Sequence, residues 1–127
     1  MLIDTHCHIH ESSYENAGDA YLRAVDHGVT KMVCVGTSEA SSREAVAFAQ
    51  AHENCYAAVG VHPHDAKDGV SEIETLLKHH RAVQSDSRIV GVGEIGLDYF
   101  YTHSPRDVQI VALEQQLEWA VQYDLPV

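Results

Sequence analysis

Basic residues are scarce in this sequence. Among its 127 residues are 8 lysines and arginines against 19 aspartates and glutamates, so the formal net charge is −11 with histidine neutral. No run of lysine or arginine is present to follow a phosphate backbone, which excludes an ordinary DNA-binding module. A nucleic acid remains open as a substrate only where bound metal ions neutralise its phosphates.

Long hydrophobic runs and a paired set of cysteines are missing too. No segment approaches the ~18 apolar residues of a membrane span. Met1 and two apolar residues lead directly to Asp4, so we expect neither a membrane anchor nor a signal peptide. The three cysteines are an odd set in apolar stretches, which is typical of reduced thiols. We therefore expect a cytoplasmic protein.

The composition is that of a folded globular chain, and its apolar stretches alternate with helical patterns. With 45% apolar and 21% charged residues, the chain suits one domain over residues 1–127. Short apolar runs bounded by turn residues indicate strands buried on both faces. The predicted strands begin at residue 2 and cover residues 31–36, 55–60 and 88–94, and residues 125–127 begin a fifth.

The order of these elements is strand then helix, four times. This alternation predicts an α/β fold with a parallel sheet, either an open doubly wound sheet or part of a (β/α)₈ barrel. Both architectures place functional residues at the carboxyl ends of strands. Helix starts are predicted from cap residues: Ser41 with Glu44, Ser71 with Glu74, and Ser104 before Pro105.

Residues 4–8 form the first candidate site, at the end of a predicted buried strand. Because side chains alternate along a strand, Asp4, His6 and His8 share one face. Neutral imidazole is the commonest protein ligand for zinc-type metals, and a nearby carboxylate can orient a ligating ring. The pattern predicts His6 and His8 as metal ligands, with Asp4 behind them. The alternative is a surface strand end that carries two histidines by chance.

Glu94 ends the fourth predicted strand among three closely spaced glycines. The spacing matches a dinucleotide-binding turn, but the helix needed to hold a pyrophosphate does not begin until after residue 104. A carboxylate at this strand end can instead bridge two cations that assist hydrolysis, which makes Glu94 a candidate metal ligand and catalytic residue. A buried, paired structural glutamate is the alternative.

Four further residues are candidates for substrate binding. His62 and His64 flank a proline after the third strand and can donate to a phosphate or leaving group. Asp98 can orient a histidine or a water, and Tyr99 opens an aromatic run whose rings can stack on a base or sugar. Exposed loop histidines, an ordinary turn aspartate and a self-packed aromatic loop are the alternatives.

Taken together, these motifs resemble the TatD family of metal-dependent hydrolases, in order and approximate spacing, over the whole chain. The resemblance implies that the chain forms the first half of a TIM-type (β/α)₈ barrel. It also implies a site for two divalent metals (zinc, manganese or magnesium) that hydrolyses phosphodiester bonds of DNA, often as a 3′-to-5′ exonuclease. His6 and His8 would hold one metal and Glu94 both. The motifs are residues 4–8, 60–64 and 93–99.

A complete barrel takes roughly 200 residues or more, which exceeds the length of this chain. The resemblance places later ligands, two histidines and an aspartate that serves as general base, beyond Val127. We therefore expect a fragment of a longer enzyme, whose open sheet edges permit self-association. Two alternatives remain: a related hydrolase of a small ester, lactone or amide, and an inactive half barrel that acts only by assembly.

Overall fold

The computed structural model describes residues 1–83 and 86–127 and contains the predicted alternation of strands and helices. A short 3₁₀ helix, Ala66–Asp68, follows the third strand. The main elements are, in chain order, β1 (Leu2–Cys7), α1 (Ala17–Asp26), β2 (Val29–Val35), α2 (Glu39–Ala51), β3 (Cys55–Val59), α3 (Ser71–Val83), β4 (Ile89–Val92) and α4 (Arg106–Tyr123).

The four strands form one parallel sheet in the order β1-β2-β3-β4. Each strand therefore pairs with the next one along the chain, and the order does not reverse. A doubly wound sheet reverses its strand order at a switch point, whereas a barrel adds strands in sequence. The topology is thus that of the first half of a (β/α)₈ barrel, as the family resemblance implied.

Two apolar clusters connect the helices to the sheet, and Val46 of α2 packs against both. The first includes buried side chains of β3, α3, β4 and α4: Val59, Ile73, Leu77, Val92 and Trp119. The second includes buried side chains of β2, α2 and β3: Met32, Cys34, Ala45, Ala49 and Ala57. Strands β2, β3 and β4 thus contribute buried side chains to a helix-covered core, which fixes their carboxyl ends relative to one another.

The prediction that the first strand is buried was wrong. Residues 2–6 of β1 are all exposed, and Leu2 and Ile3 each leave more than half of their surface accessible. Within residues 1–83 and 86–127, β1 is an edge strand that pairs with β2. An apolar run in the sequence predicts a buried strand, but it does not show which other elements pack against that strand.

The fifth predicted strand is not formed within the described residues, although its first contact is present. The backbone N–H of Val92 in β4 donates to the carbonyl of Pro126 (2.9 Å). No helix in residues 1–83 or 86–127 is both long and apolar enough to cross a membrane.

The observed helix starts differ from the predicted ones by three residues for α2 and by one residue for α3 and α4. α2 begins at Glu39, and its cap is Ser38, whose hydroxyl accepts from the Ser41 N–H (3.1 Å). α3 begins at Ser71, and the carboxylate of Glu39 accepts from the backbone N–H of Glu72 (2.7 Å). A carboxylate from a neighbouring helix therefore satisfies an N-terminal donor of α3, which no local pattern could show.

The start of α4 differs in a way that affects the site. The helix begins at Arg106, with Pro105 in the capping position. The hydroxyl of Ser104 is used elsewhere, since it donates to the carbonyl of His64 (2.8 Å) and accepts from the N–H of Lys67 (3.1 Å). Ser104 therefore joins the loop after β4 to the loop after β3.

Candidate metal centre

His6, His8 and Glu94 come together although they belong to opposite edges of the sheet. His6 lies in β1, His8 directly follows it, and Glu94 follows β4 by two residues. His6 Nε2 is nevertheless 3.3 Å from Glu94 Oε2, across the width of four strands. The sheet must therefore curve, as a barrel wall does, and the three side chains meet over its concave face.

The backbone around Glu94 is held by the neighbouring strand ends. The N–H of Glu94 donates to the carbonyl of Gly36 at the end of β2 (2.8 Å), and the N–H of Gly93 donates to that of Val59 in β3 (3.0 Å). Beside them, the buried hydroxyl of Ser42 donates to the carbonyl of Gly60 (2.9 Å) and accepts from the N–H of Gly60 (3.0 Å). The carboxylate thus extends from a backbone fixed by three elements.

The donor atoms of this cluster have a spacing that fits a metal ion. His6 Nε2 is 3.2 Å from His8 Nε2, and Glu94 Oε2 is 3.3 Å from His6 Nε2 and 4.0 Å from His8 Nε2. Ligands bound at ~2.0–2.2 Å in tetrahedral geometry lie a little over 3 Å apart. Two imidazole lone pairs at this distance repel each other unless a proton or a cation lies between them, so the cluster fits a divalent metal.

Two further carboxylates lie beside the histidines of the cluster, those of Glu11 and Asp4. His8 Nδ1 lies 3.3 Å from Glu11 Oε1, without forming a hydrogen bond to it. Asp4 acts on the backbone rather than on a ring, because its Oδ1 accepts from the N–H of His6 (3.1 Å). The observed contact of Asp4 is thus with the main chain, and its predicted role behind the ligating rings stays a prediction.

His62 faces the same carboxylate from the other side. Its Nε2 lies 3.6 Å from Glu94 Oε1, whereas Glu94 Oε2 faces His6 and His8. The backbone N–H of His64 donates to His62 Nδ1 (3.2 Å). An accepting Nδ1 means that the neutral ring carries its proton on Nε2. His62 is therefore a hydrogen-bond donor aimed into the site.

Asp98 forms hydrogen bonds with His64 and with the backbone of its own loop. Its Oδ2 forms a short hydrogen bond with His64 Nε2. Its Oδ1 accepts from the backbone N–H groups of Phe100 (2.8 Å) and Tyr101 (3.1 Å). The bond from His64, followed by those from the backbone, holds the pKa of the Asp98 carboxyl below its usual value. Asp98 is thus ionised over the neutral range and fixes both the ring and the loop.

Tyr99 is less available than its position suggested. The guanidinium of Arg106 lies 4.5 Å from the centre of its ring. This cation–π contact covers one face of the ring and connects the loop to the first turn of α4. Tyr99 therefore has at most one face for a substrate.

Two buried glutamines of α4 were missed by the sequence reasoning. Gln109 accepts from the N–H of Asp98 (2.8 Å) and donates to the carbonyls of Asp98 (3.0 Å) and Ser104 (2.8 Å). Gln116, two turns later, makes a similar pair of bonds to Val61. One helix thus holds both loops that carry the candidate substrate-binding residues. Two glutamines seven residues apart on an otherwise apolar face were the available signal.

His10, left open by the sequence, has a structural environment. It is buried, and its Nε2 lies 3.2 Å from the hydroxyl of Ser41. Burial lowers its pKa, so the ring is neutral at neutral pH. His10 anchors the loop after β1 to α2 rather than adding a ligand to the cluster.

Comparison with known proteins identifies the family. The family model described as TatD related DNase matches residues 3–127. The chain belongs to the TatD family. The family resemblance drawn from the three motifs is therefore confirmed, and the motif residues that meet at the barrel mouth are those on which it depended.

Named relatives in this family include nucleases and hydrolases. The 3'-5' ssDNA/RNA exonuclease TatD of Cronobacter sakazakii is 35% identical over 127 residues, which cover 99% of this chain and 47% of the relative. The uncharacterized metal-dependent hydrolase YabD of Bacillus subtilis is 31% identical over 128 residues, covering 100% of this chain and 49% of the relative. The chain thus spans about half the length of the curated relatives that it matches.

Solved structures agree with the barrel topology. The crystal structure of YJJV, a TatD homolog of Escherichia coli, superposes with a TM-score of 0.84 at 33% identity, over 99% of this chain and 49% of that one. A TatD family hydrolase from Entamoeba histolytica gives 0.77 at 20% identity, over 98% and 48%, which shows the shared fold.

Proposed function

We propose that this chain contributes His6, His8 and Glu94 to the active site of a divalent-metal-dependent hydrolase that cleaves phosphodiester bonds of DNA, with 3′-to-5′ exonuclease polarity. The observation that carries the proposal is the convergence of two imidazole nitrogens and a carboxylate within 4.8 Å of one another. The names of the relatives support the reaction class, because the Cronobacter sakazakii protein is a 3'-5' ssDNA/RNA exonuclease.

The residues divide into two groups around Glu94. His6 and His8 would hold a metal together with Glu94 Oε2. Glu94 Oε1 faces His62, and we call the side of the site where His62 and His64 lie the donor side. A bound divalent metal supplies the positive charge that polarises a phosphoryl group and activates water for attack. Zinc suits histidines with a carboxylate, and manganese or magnesium would also find oxygen ligands here. We propose two such ions in the complete site.

The donor side is suited to a phosphate. His62 Nε2–H is directed into the site, and His64 is oriented by the ionised Asp98. A hydrogen bond from the His62 ring would orient a phosphate oxygen or the leaving group. His64, whose Nε2 proton is directed to Asp98, and Tyr99 would line the same place. Positive charge is otherwise scarce on this chain, so the affinity for a phosphate depends on the metals and on these few donors.

The acidity of the chain supports a second candidate, hydrolysis of a small ester, lactone or amide with the same metals. A net charge of −11 opposes a polyanionic substrate. The two candidates are separated by a substrate panel under identical metal concentrations. Turnover of a lactone or ester with DNA left intact would favour the second candidate.

The proposal is tested by metal-stimulated degradation of end-labelled single-stranded DNA. The protein that carries this sequence is compared with its His6→Ala and Glu94→Gln variants, with chelator added in parallel. We expect loss of both metal binding and hydrolysis in the variants. His79→Ala, which removes an exposed histidine on α3, is the matched control. Hydrolysis that survives both site variants would refute the assignment.

A further inference from the structure

The loop after β4 presents aromatic rings to solvent. Phe100 is 86% exposed and Tyr101 is 62% exposed, whereas Tyr99 is 42% exposed. Large exposed apolar side chains that lie together in one loop mark an interaction site more often than a chance placement. Tyr99, the ring that Arg106 covers, is the least exposed of the three.

These rings are exposed but their backbone is fixed. The carboxylate of Asp98 accepts from the N–H groups of Phe100 and Tyr101, and Gln109 bonds to the N–H and the carbonyl of Asp98. A rigid aromatic surface loses little conformational entropy when a ligand binds. The loop is therefore already arranged for contact.

The ring geometry leaves particular faces free. Tyr101 lies parallel to His103 at a centroid distance of 5.6 Å and an angle of 2°, so one of its faces is directed toward that ring. Phe100 stands edge-on to Tyr101, at 4.8 Å and 86°. Phe100 is thus the ring with the most accessible faces, and Tyr101 supports it from the side.

The loop after β4, which itself carries Glu94 and Asp98, is contacted by cationic side chains. Of the 8 lysines and arginines in a chain of net charge −11, two contact this loop. Lys67 Nζ donates to the carbonyl of His103 (3.1 Å), and Arg106 lies over Tyr99. Cations beside exposed rings form the combination that binds single-stranded nucleic acid, in which the rings stack on bases and the cations meet phosphates.

Ring contacts also connect this loop to the candidate metal centre. Tyr101 lies 5.8 Å from the ring of His64, and His64 lies 4.4 Å from the ring of His62. His62 in turn faces Glu94 at 3.6 Å. A strand whose base rests on the loop therefore has its neighbouring phosphates within a few ring widths of the metal ligands.

We propose that Phe100 and Tyr101 form a stacking platform for an unpaired base of a single-stranded nucleic acid. Bases within a duplex are stacked on one another and offer no free face, so the platform selects unpaired strands. Stacking also supplies affinity that does not depend on positive charge, which this acidic chain largely lacks. The position of the scissile phosphate relative to the platform depends on the function proposed above, whereas the stacking contact does not.

The test measures binding in chelator, so that no cleavage occurs. Fluorescence anisotropy compares a labelled thymidine octamer with an octamer of equal charge in which abasic spacers replace the central bases. We expect the base-bearing strand to bind at least about fivefold more tightly, the effect of one stacked base. Because both strands carry the same phosphates, the ratio isolates stacking from the electrostatic contribution.

Variants of the loop test whether Phe100 and Tyr101 cause the difference in affinity between the two strands. Phe100→Ala and Tyr101→Ala should each lower the ratio, and the double variant should bring it close to one, whereas Phe100→Trp should retain it. Val121→Ala, which truncates an 84% exposed side chain near the other end of α4, should leave it unchanged. Equal binding of the two strands by the unmodified chain, no binding of either, or a ratio unaffected by the double variant would overturn the proposal.

Cleavage of the abasic strand in added zinc, manganese or magnesium separates this proposal from the previous one. Metal-dependent cleavage without a binding preference for base-bearing strands would support the proposed nuclease activity and refute the stacking platform. A binding preference that Phe100→Ala abolishes, with neither strand cleaved, would support the stacking platform and refute the proposed nuclease activity.

Discussion

The side-chain amide of Gln116 pairs with the backbone of Val61 as a neighbouring strand would. Its Oε1 accepts from the Val61 N–H at 2.7 Å, and its Nε2 donates to the Val61 carbonyl at 3.2 Å. Both residues are buried. One side chain of α4 thus satisfies two backbone groups at the point where the chain leaves β3 and enters the loop of His62 and His64.

Replacing Gln116 by leucine should destabilise the fold although the apolar volume is kept. The N–H and carbonyl of Val61 would lose their partners in a buried position, and each unpaired group costs about 1–3 kcal/mol. We expect the free energy of unfolding in urea to fall by about 2 kcal/mol or more. The neighbouring Gln115→Leu is the control, because the side chain of Gln115 donates to that of the exposed Glu118 (3.4 Å) and not to buried backbone groups of the described residues. Equal effects of the two substitutions would contradict this role.

The buried glutamines show where sequence reasoning stops. The apolar positions of α4 predicted its existence, because helical periodicity is a local property. Gln116 and Val61 are 55 residues apart, and nothing local indicates that a polar residue on a helix replaces a strand neighbour. The same holds for Glu39, whose carboxylate meets the start of a different helix.

The close approach of two glycines limits what can occupy position 60. A Cβ added to Gly60 would lie 2.7 Å from the carbonyl carbon of Gly93, a backbone atom that cannot turn away. Gly60→Ala should therefore separate the ends of β3 and β4, destabilise the fold by about 1–3 kcal/mol, and displace Glu94 from His6. Thermal unfolding and metal titration measure the two effects.

Gly18→Ala serves as the control for that substitution. An added Cβ there meets nothing within 4 Å, and Gly18 lies in α1, where alanine is favoured by up to about 1 kcal/mol. We expect unchanged metal binding and unchanged or higher stability. If Gly60→Ala behaved in the same way, the packing of the two strand ends would not position Glu94.

The Asp98 carboxylate should contribute to the acid sensitivity of the fold. Its pKa is lowered in the folded protein, first by the bond from His64 and then by those from the backbone. A lowered folded pKa means that the stabilisation is fully present above the usual carboxyl value near 3.8 and is lost as the pH falls through the lower folded value. Asp98→Asn should therefore lose less stability than the unmodified chain between pH 5 and pH 2.

Urea unfolding at several pH values measures this difference. Asp19→Asn, in the first turn of α1, is the control and should follow the unmodified chain. At pH 7 the Asp98 variant should be the less stable of the two, because an amide accepts more weakly from the loop N–H groups than a carboxylate does. Parallel pH curves for Asp98→Asn and the unmodified chain would show that the bond to His64 does not stabilise the loop.

The candidate centre could be assembled from the sequence because strand ends of a parallel sheet meet at one edge. His6, His8 and Glu94 each follow an apolar stretch, and that alone predicted their proximity. Which histidine would bind a metal and which would donate a hydrogen bond could not be predicted from the sequence. Only the bond from the His64 N–H to His62 Nδ1 distinguishes a donor histidine from a ligand, and tautomers leave no trace in residue spacing.

That distinction predicts different metal affinities for variants of similar chemistry. His6→Ala and His8→Ala each remove a ligand atom of the proposed cluster. Mutation of a residue that only supports a ligand lowers metal affinity by about 10–100-fold. Isothermal titration with zinc or manganese should therefore show a larger loss of affinity for these two variants. His62→Ala removes a donor whose Nε2 carries a proton, and the affinity should fall much less. Exposed His79→Ala should have no effect.

The pH dependence of the same titration adds a second criterion. Protons compete with the metal for the ligating nitrogens, so the affinity should fall as the solution is acidified. In His6→Ala, one competing nitrogen is gone and the dependence should be shallower, whereas in His62→Ala it should keep the slope of the unmodified chain. A shallower slope for His62→Ala would mean that its ring exchanges a proton for the metal, and His62 would then be a ligand rather than a donor.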